Sequence, residues 1–346
     1  MWRRWRRDFW IVEGRERNSG LPLTLAFSGQ LESKCYITHL VFADDCRERR
    51  RRVWRWRVER LANGRRARYA LAIVERQHRP AHGRPGTFLI PCWVGGDIDV
   101  AVAERRIRTT PHLKPDLRRI HKYRLSYAVE RAPEQLLRFY DEMYVPYIRN
   151  VYGARTFLVS RAEFSAHLPN LEVVMVLRDG EAVAGGTLLY EAGQVRAWCM
   201  GVKNGDRRYV REGAIAAIYR YQIAHLASAG RARLHLGASR PFLNDGVLAF
   251  KRKWGMRAAD RMAKWFQLTC PRHCEAGRAF LAHNPFIYET AGTLYGAVFA
   301  EGARRPTDSQ LDALALPGLT ALVVFRPLVI GGWSAAAVRA ISAPPL

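Results

Sequence analysis

The stretch SRPFLNDGVLAFKRKWG (239–255) gathers Ser239, Arg240, Asn244 and Asp245 before a short amphipathic run that contains Lys251 and Lys253. A carboxylate and an amide at such a place can orient an amine or a hydroxyl. A nucleophilic amine must also lose a proton, to a base or through a water relay. Asp245 falls at a helix start, where the helix dipole stabilises its anion and lowers its basicity. It therefore suits orientation better than proton abstraction, or it is simply the helix cap, alone or with Asn244. Lys251 lies six residues on and points to another face. There it either holds a phosphate or carboxylate or stands solvated. Ser239 and Arg240 follow the strand-like LHLGA and occupy a strand end, where open α/β sheets place ligand contacts.

A second constellation is RRYVREGA (207–214), just before a long helical run. A helix N-terminus carries free amide donors and a positive dipole end, so it suits a diphosphate. Arg207, Arg208 and Arg211 can add charge-assisted contacts, or form a solvated basic loop. Tyr219 and Tyr221, on the helix that follows, are either general acids or core packing. No HExxH, GxxxxGK[ST] or Ser-His-Asp pattern is present. CPRHC (270–274) with His273 and the later His283 lacks the spacing of a four-ligand zinc site, so no metal is expected. The six cysteines are scattered, which fits free thiols in a reducing, cytoplasmic compartment.

These residues sit in a chain of 346 that is 49% hydrophobic and 25% charged, enough for two packed domains. Its formal charge is +25, and seven of its 56 basic residues are lysine. Such a charge attracts phosphates, anionic lipid or acidic polymers without naming one. Residues 1–70 hold 18 Lys/Arg against 8 Asp/Glu. Within them VWRWRV mixes tryptophan and arginine, either as a stacking platform for nucleic acid or as inward tryptophans with solvated arginines. MWRRWRRDFW would put Trp2, Trp5 and Phe9 on one helix face, able to dock on an anionic membrane, or it is a frayed basic end. Its RRDF faintly matches a twin-arginine signal, but polar VEGRERNSG follows, so export is not expected. LTALVVFRPLVIGGWSAAAV (319–338) is split by Arg326-Pro327 and reads as a strand, a turn and a short helix capped by Ser334 rather than a membrane span.

Periodicity then assigns the elements. PLTLAFSG (22–29) and YALAIVE (69–75) read as strands, and KCYITHLVF (34–42) as another. Asp44-Asp45 opens a helix that stops at Asn63-Gly64, with a strand over VWRWRV as the rival. Residues 87–102 read as two strands hinged at Gly95-Gly96, and 111–125 as a basic helix. RLSYAVE (124–130) is a strand, and the helix opened by Pro133 is broken in two at Pro146. Residues 171–202 form a three-strand meander turned at RDGE and EAGQ. A helix (211–230), a strand (231–238), a helix (244–255) and a strand (262–270) complete the series.

From 124 to 270 the order is β, α, α, β, β, β, α, β, α, β, which resembles the N-acetyltransferase (GNAT) fold. The segments LKPDLRRIHKYRLSYAVE, FYDEMYVPYIRNVYG and LHLGASRPFLNDGVLAFKRKWG resemble the FemAB-like, CelD- and BioF2-like branch of that superfamily. The resemblance implies an α/β (α+β) fold with a GNAT-like mixed sheet flanked by helices, in two halves joined by a basic helix. It divides the chain into a basic segment (1–19), a degenerate first half (20–110), an acyltransferase half (111–270) and an extension (271–346). It implies acyl-CoA, acetyl-CoA being the simplest, lying where two parallel strands splay between RAWCMGV and RARLHLGA. Its diphosphate would then rest on Arg207, Arg208, Arg211, Gly213 and Ala214. The family's loop has a central glycine where this chain has Arg211, whose Cβ obstructs close backbone approach. By the same resemblance Asp245, Ser239 and Lys251 are the catalytic candidates, and Arg240, Asn244 and Tyr219 the substrate contacts. The implied activity is N-acyl transfer to an amine of a sugar or cell-envelope or polysaccharide precursor. Aminoacyl transfer from charged tRNA and a non-catalytic basic module for nucleic acid or membrane are the alternatives. Peripheral contact with the inner face of a membrane through the N-terminus is compatible with each.

Overall fold

Two tight turns fix the most regular part of the chain. Asp179-Gly180 (φ 51° and 83°) and Ala192-Gly193 (φ 47° and 77°) both place successive residues in the left-handed region. That is the geometry of the two-residue hairpin turn whose twist matches its strands. The computed structural model describes residues 6–43, 45–63, 69–79, 86–152, 158–261, 263–271, 274–301, 305–327 and 333–341.

In chain order the elements are β1 (Arg6–Arg15), β2 (Pro22–Ser28), α1 (Leu31–Val41), β3 (Arg47–Trp54), α2 (Arg55–Asn63), β4 (Leu71–Arg76), β5 (Thr87–Pro91) and β6 (Val94–Asp99). Then come α3 (Val100–Thr109), α4 (Lys114–Lys122), β7 (Leu125–Glu130), α5 (Pro133–Phe139), α6 (Val145–Tyr152) and α7 (Arg161–Ala166). The meander is β8 (Leu171–Arg178), β9 (Glu181–Glu191) and β10 (Gln194–Val202), followed by α8 (Arg207–Arg211), α9 (Ala214–Ser228), β11 (Arg233–His235) and α10 (Gly246–Lys253). The remainder is β12 (Arg257–Arg261), β13 (Trp265–Thr269), α11 (Glu275–His283), β14 (Phe286–Thr290), β15 (Thr293–Phe299), α12 (Asp308–Leu314), β16 (Ala321–Pro327) and β17 (Trp333–Ala340).

The chain forms two compact units that interleave in sequence. The first holds Met1–Val94, Ser239–Ala249 and Ala258–Pro345; the second holds Gly95–Ala238 and Phe250–Arg257. The 110/111 boundary read from the sequence thus falls inside the second unit, and residues 271–345 fold with the first.

The first unit has a six-stranded sheet, β3-β1-β2-β4-β13-β5, and a four-stranded one, β14-β15-β16-β17. Its core includes Trp10, Val12, Phe27, Ile37, Phe88, Phe266, Phe280 and Phe286. The second unit runs β7, β8, β9 and β10 as antiparallel neighbours, then β11 parallel to β10, then β6 antiparallel to β11. Helices α5 and α7 and the π-turn at Tyr140–Tyr144 pack Leu136, Phe139, Tyr140 and Phe164 against this meander. The architecture is the mixed α/β class implied by the resemblance: open, GNAT-like sheets flanked by helices, in two sheet-bearing parts.

Several elements depart from the sequence reading. Residues 6–15 are a central strand, not a frayed end or a helix, and Phe9 is buried in the core; Trp2 and Trp5 lie outside the described residues. Residues 34–41 belong to helix α1, because Ser33, Lys34, Ile37 and Val41 bury one face at helical spacing despite the β-branched residues. The helix expected from Asp45 is divided. VW of VWRWRV ends the edge strand β3, and the helix starts only at Arg55. The hinge within 87–102 is at Cys92-Trp93; Gly95-Gly96 lies inside β6, and Asp99 caps α3 through the Val102 amide at 2.9 Å. A side chain at Gly96 would meet the Arg257 carbonyl oxygen at 2.3 Å, which explains the glycine. Residues 333–340 form a strand paired with β16 where a helix capped by Ser334 was expected. Pro146 leaves a π-turn rather than a break. Among the described residues no helix is long and apolar enough to cross a membrane.

Candidate functional site

In the second unit the feature that bears on ligand binding is the parting of β10 from β11. The two parallel strands share one residue pair, Arg196 with His235. On its other side β11 pairs with β6 along its whole length, and past His235 the Leu236 amide continues that ladder, donating to the Gly96 carbonyl at 2.9 Å, with no further pair to β10. On the opposite flank β10 is bulged between Ala197 and Met200. A bulge re-aims side chains and leaves a residue out of the ladder. His235 is fixed at the junction by Asp97, Nδ1 to Oδ1 2.7 Å.

The root of α9 is less open than the resemblance implies. Residues 207–211 form the short helix α8, capped by Asp206, whose carboxylate accepts from the Arg208 amide at 2.7 Å. The Glu212 amide donates to the Arg208 carbonyl (2.9 Å) and the Gly213 amide to the Val210 carbonyl (3.1 Å), so one expected diphosphate donor, the Gly213 amide, is consumed. Gly213 has φ 100°, and a Cβ there would stand 3.0 Å from the Arg119 Cβ. Ala214 is buried. Arg207, Arg208 and Arg211 are exposed, with Arg208 resting on the Tyr209 ring at 4.8 Å.

Lys251 takes neither place expected for it. It is 5% exposed, and its ammonium donates to the carbonyls of Gly237 (3.3 Å) and Ala238 (3.2 Å) in the second unit, tying down the strand end that leaves the sheet. Tyr219 packs edge-on against Phe250, centroids 5.1 Å apart, within the helix core. Tyr221 donates its hydroxyl to the Leu125 carbonyl and stacks on Tyr127.

Ser239, Arg240, Asn244 and Asp245 belong to the first unit, and the arginines of α8 to the second. Asp245 caps α10: Oδ1 accepts from the amides of Val247 (3.0 Å) and Leu248 (3.2 Å), and Oδ2 receives a long hydrogen bond, 3.4 Å, from the Tyr36 hydroxyl. Both carboxylate oxygens are therefore committed. Asn244 donates to the His283 carbonyl at 3.1 Å. The Arg240 guanidinium lies over two rings, Tyr36 at 4.4 Å and Trp93 at 3.8 Å. Its Nη1 is buried without a hydrogen-bond partner among the described residues, as is the Ser239 hydroxyl. Burial pushes the Arg240 pKa down, and burial beside the Asp245 carboxylate pushes the Tyr36 hydroxyl well up. Burial, with the Glu75 carboxylate, raises Cys92 to about 12. Tyr36 and Trp93 were missed in the sequence because only the fold carries them to Arg240; an aromatic beside the PC turn was the one available signal.

His273 lies outside the described residues, and among the described residues no group of three or more His, Cys, Asp or Glu is placed to hold a metal ion.

Comparison with known proteins adds likeness of fold at low similarity. No family model matches the chain, and no curated protein matches it. Among solved structures, the C-terminal domain of a protein named as a lysylphosphatidylglycerol synthetase from Agrobacterium fabrum is similar over 79% of this chain and 84% of its own, with 16% identity and a TM-score of 0.38. L-PGS from Bacillus licheniformis is similar over 76% and 85%, with 12% identity and a TM-score of 0.36. An aminoglycoside acetyltransferase from an uncultured soil metagenomic sample is similar over 41% of this chain and 94% of its own, with 18% identity and a TM-score of 0.31. Scores this low carry no weight for activity, so the chain's own strands and side chains decide the reading.

Proposed function

We propose that the chain is an acyltransferase that moves an acyl group from acyl-CoA, acetyl-CoA in the simplest case, to an amine of a sugar or of a cell-envelope or polysaccharide precursor. The observation that carries this reading is the separation of β10 and β11 after the single pair Arg196–His235, beside the bulge at Ala197–Met200. Two parallel strands that part leave backbone donors and acceptors facing an opening, which suits an extended donor. The exposed Arg207, Arg208 and Arg211 suit its phosphates. In the first unit, the Arg240 Nη1 and the Ser239 hydroxyl, which have no partner among the described residues, suit an acidic or hydroxyl-bearing ligand, with Asp245 held as an orienting group rather than a base.

The test is a thermal shift with acetyl-CoA. A ligand at 100 times its Kd stabilises by about 2.7 kcal/mol, a rise of several degrees. The rise is expected to vanish in a variant with Arg207, Arg208 and Arg211 changed to Ala. No rise with the unaltered chain would end this reading.

One observation favours a second reading. The α8 turn consumes the amides of Glu212 and Gly213 yet leaves three arginines exposed, which suits a donor held by many phosphates, as in aminoacyl transfer from charged tRNA. That reading expects charged-tRNA binding that weakens steeply with salt, and no response to acetyl-CoA.

A further inference from the structure

In the first unit, a cavity of about 470 Å³ opens among Arg7, Arg55, Trp56, Arg76, His78 and Arg79. Two carboxylates, Glu59 and Glu75, also line it, so four arginines leave the lining net positive. Arg76 is paired with Glu59, and Arg79 lies 3.4 Å from Glu289. Arg55 has no acidic partner among the described residues. Burial, and then the nearby Arg55, hold the Arg7 guanidinium below its ordinary pKa. Like charges gathered in this way are relieved by an anion.

Two further features lie next to the cavity. Trp56 is 66% exposed, and the Arg57 guanidinium rests 5.0 Å from the centre of its ring. An indole left in solvent beside arginines is a face on which a base can stack. Immediately before it in the chain, β3 forms the edge of the six-stranded sheet. Of its five arginines, Arg50 pairs with Asp8 and Arg49 with Glu13, while Arg47, Arg51 and Arg52 are exposed with no acidic partner among the described residues. Eight strand residues extend about 26 Å at ~3.3 Å each, the length over which one strand of a duplex presents about seven phosphates. Arginines on an edge strand also block pairing with another sheet. That role accounts for β3 but not for a largely exposed tryptophan beside an arginine-lined cavity.

We infer that the first unit carries a nucleic-acid-binding surface in which β3 tracks the phosphate backbone, Trp56 stacks an unpaired base, and the cavity around Arg7, Arg55 and Arg79 receives the adjoining phosphate. The surface stands whichever donor the second unit takes. An anionic membrane would meet the β3 arginines equally well but has no use for a stacking ring beside an arginine-lined cavity.

The test is fluorescence anisotropy of the full chain with a labelled single-stranded RNA of twelve mixed nucleotides, and with DNA of the same sequence, between 50 and 200 mM salt. Binding is expected to fall steeply with salt. Trp56→Ala is expected to weaken it about 5- to 150-fold, the worth of one stacked base. Arg51→Ala with Arg52→Ala is expected to flatten the salt slope by about 1.4. All three positions are exposed, so melting temperatures should be unchanged. Equal binding of DNA supports the surface with the sugar unread. RNA binding that ignores Trp56→Ala overturns it, as does binding to vesicles of phosphatidylcholine and phosphatidylglycerol without binding to either oligonucleotide. An unchanged acetyl-CoA response in Trp56→Ala separates this outcome from failure of the acyltransferase reading.

Discussion

The guanidinium of Arg240 lies 3.8 Å from the centre of the Trp93 ring, although 147 positions separate the two in the chain. The contact fixes a charge that burial disfavours and whose Nη1 has no hydrogen-bond partner among the described residues. A planar cation over an indole is worth about 2 kcal/mol when desolvated. A lysine reproduces the charge but not the plane or the fork.

Arg240→Lys is therefore expected to fold, with a melting temperature lower by a few degrees, and to raise the KM for the acceptor about tenfold, the loss of about one charge-assisted hydrogen bond. The KM for the acyl donor should not change. Steady-state kinetics with each substrate varied in turn checks both. An equal rise in the two constants would make Arg240 a structural residue only.

Lys251 gives a prediction of the opposite kind, in stability. Its buried ammonium satisfies the carbonyls of Gly237 and Ala238. Lys251→Met is close in length and leaves those carbonyls short of their donor. Unsatisfied buried polar groups cost about 1–3 kcal/mol each. The variant should melt several degrees lower, with the acetyl-CoA shift retained in proportion to the folded fraction. A variant that melts like the parent but loses donor binding would return Lys251 to the ligand contacts that the sequence suggested.

How much of this was legible depends on how local the cause is. The meander of 171–202 was plain because alternation and left-handed turn residues such as Asp179-Gly180 are local properties. Asp245 was readable as a helix cap for the same reason. Helix α1 was not, since Ile37 and Val41 are β-branched and only burial against the first unit's core shows that their spacing is helical. Nor was the interleaving of the units, which sends β13 to pair with β4 and β5 in the first unit while β6 pairs with β11 in the second. Tyr36 reaches Asp245 across 209 positions, and nothing in KCYITHLVF marks it as a site residue. Composition showed that the chain was basic; the fold showed that Arg47, Arg51 and Arg52 lie together on one sheet edge.

Acid should loosen the second unit through Glu172. Burial pushes its carboxyl pKa up, but hydrogen bonds from Tyr190, His225 and Arg131 outweigh that and leave it below its ordinary value of 4.5. The Tyr190 hydroxyl donates at 2.7 Å, His225 Nε2 lies at 2.8 Å and Arg131 Nε donates at 2.7 Å. A carboxyl with a depressed folded pKa stabilises fully above the unfolded value and loses that contribution as pH falls through the folded one. Melting temperature should therefore drop as pH is lowered below about 4.5, and Glu172→Gln should show a lower plateau at neutral pH with a shallower acid limb. Parallel acid limbs for the two proteins would show that the carboxylate is not the group responsible.

Thiol chemistry separates buried from accessible positions without any assumption about activity. Cys92 and Cys199 are 1% and 2% exposed, and burial raises each thiol to about 12. At pH 8 the thiolate, which is the reactive form, is then present at about one part in ten thousand, against about a quarter for an unperturbed thiol of pKa ~8.5. Cys35 and Cys46 are half-buried, so a small reagent can reach them. Brief iodoacetamide treatment of the native chain at pH 8, followed by peptide mass spectrometry, should label Cys35 and Cys46 and leave Cys92 and Cys199 unmodified. Because Cys92 adjoins Trp93, early labelling of Cys92 would mean that the turn carrying Trp93 opens in solution, and the Arg240 contact would then be one conformation among several rather than the resting state.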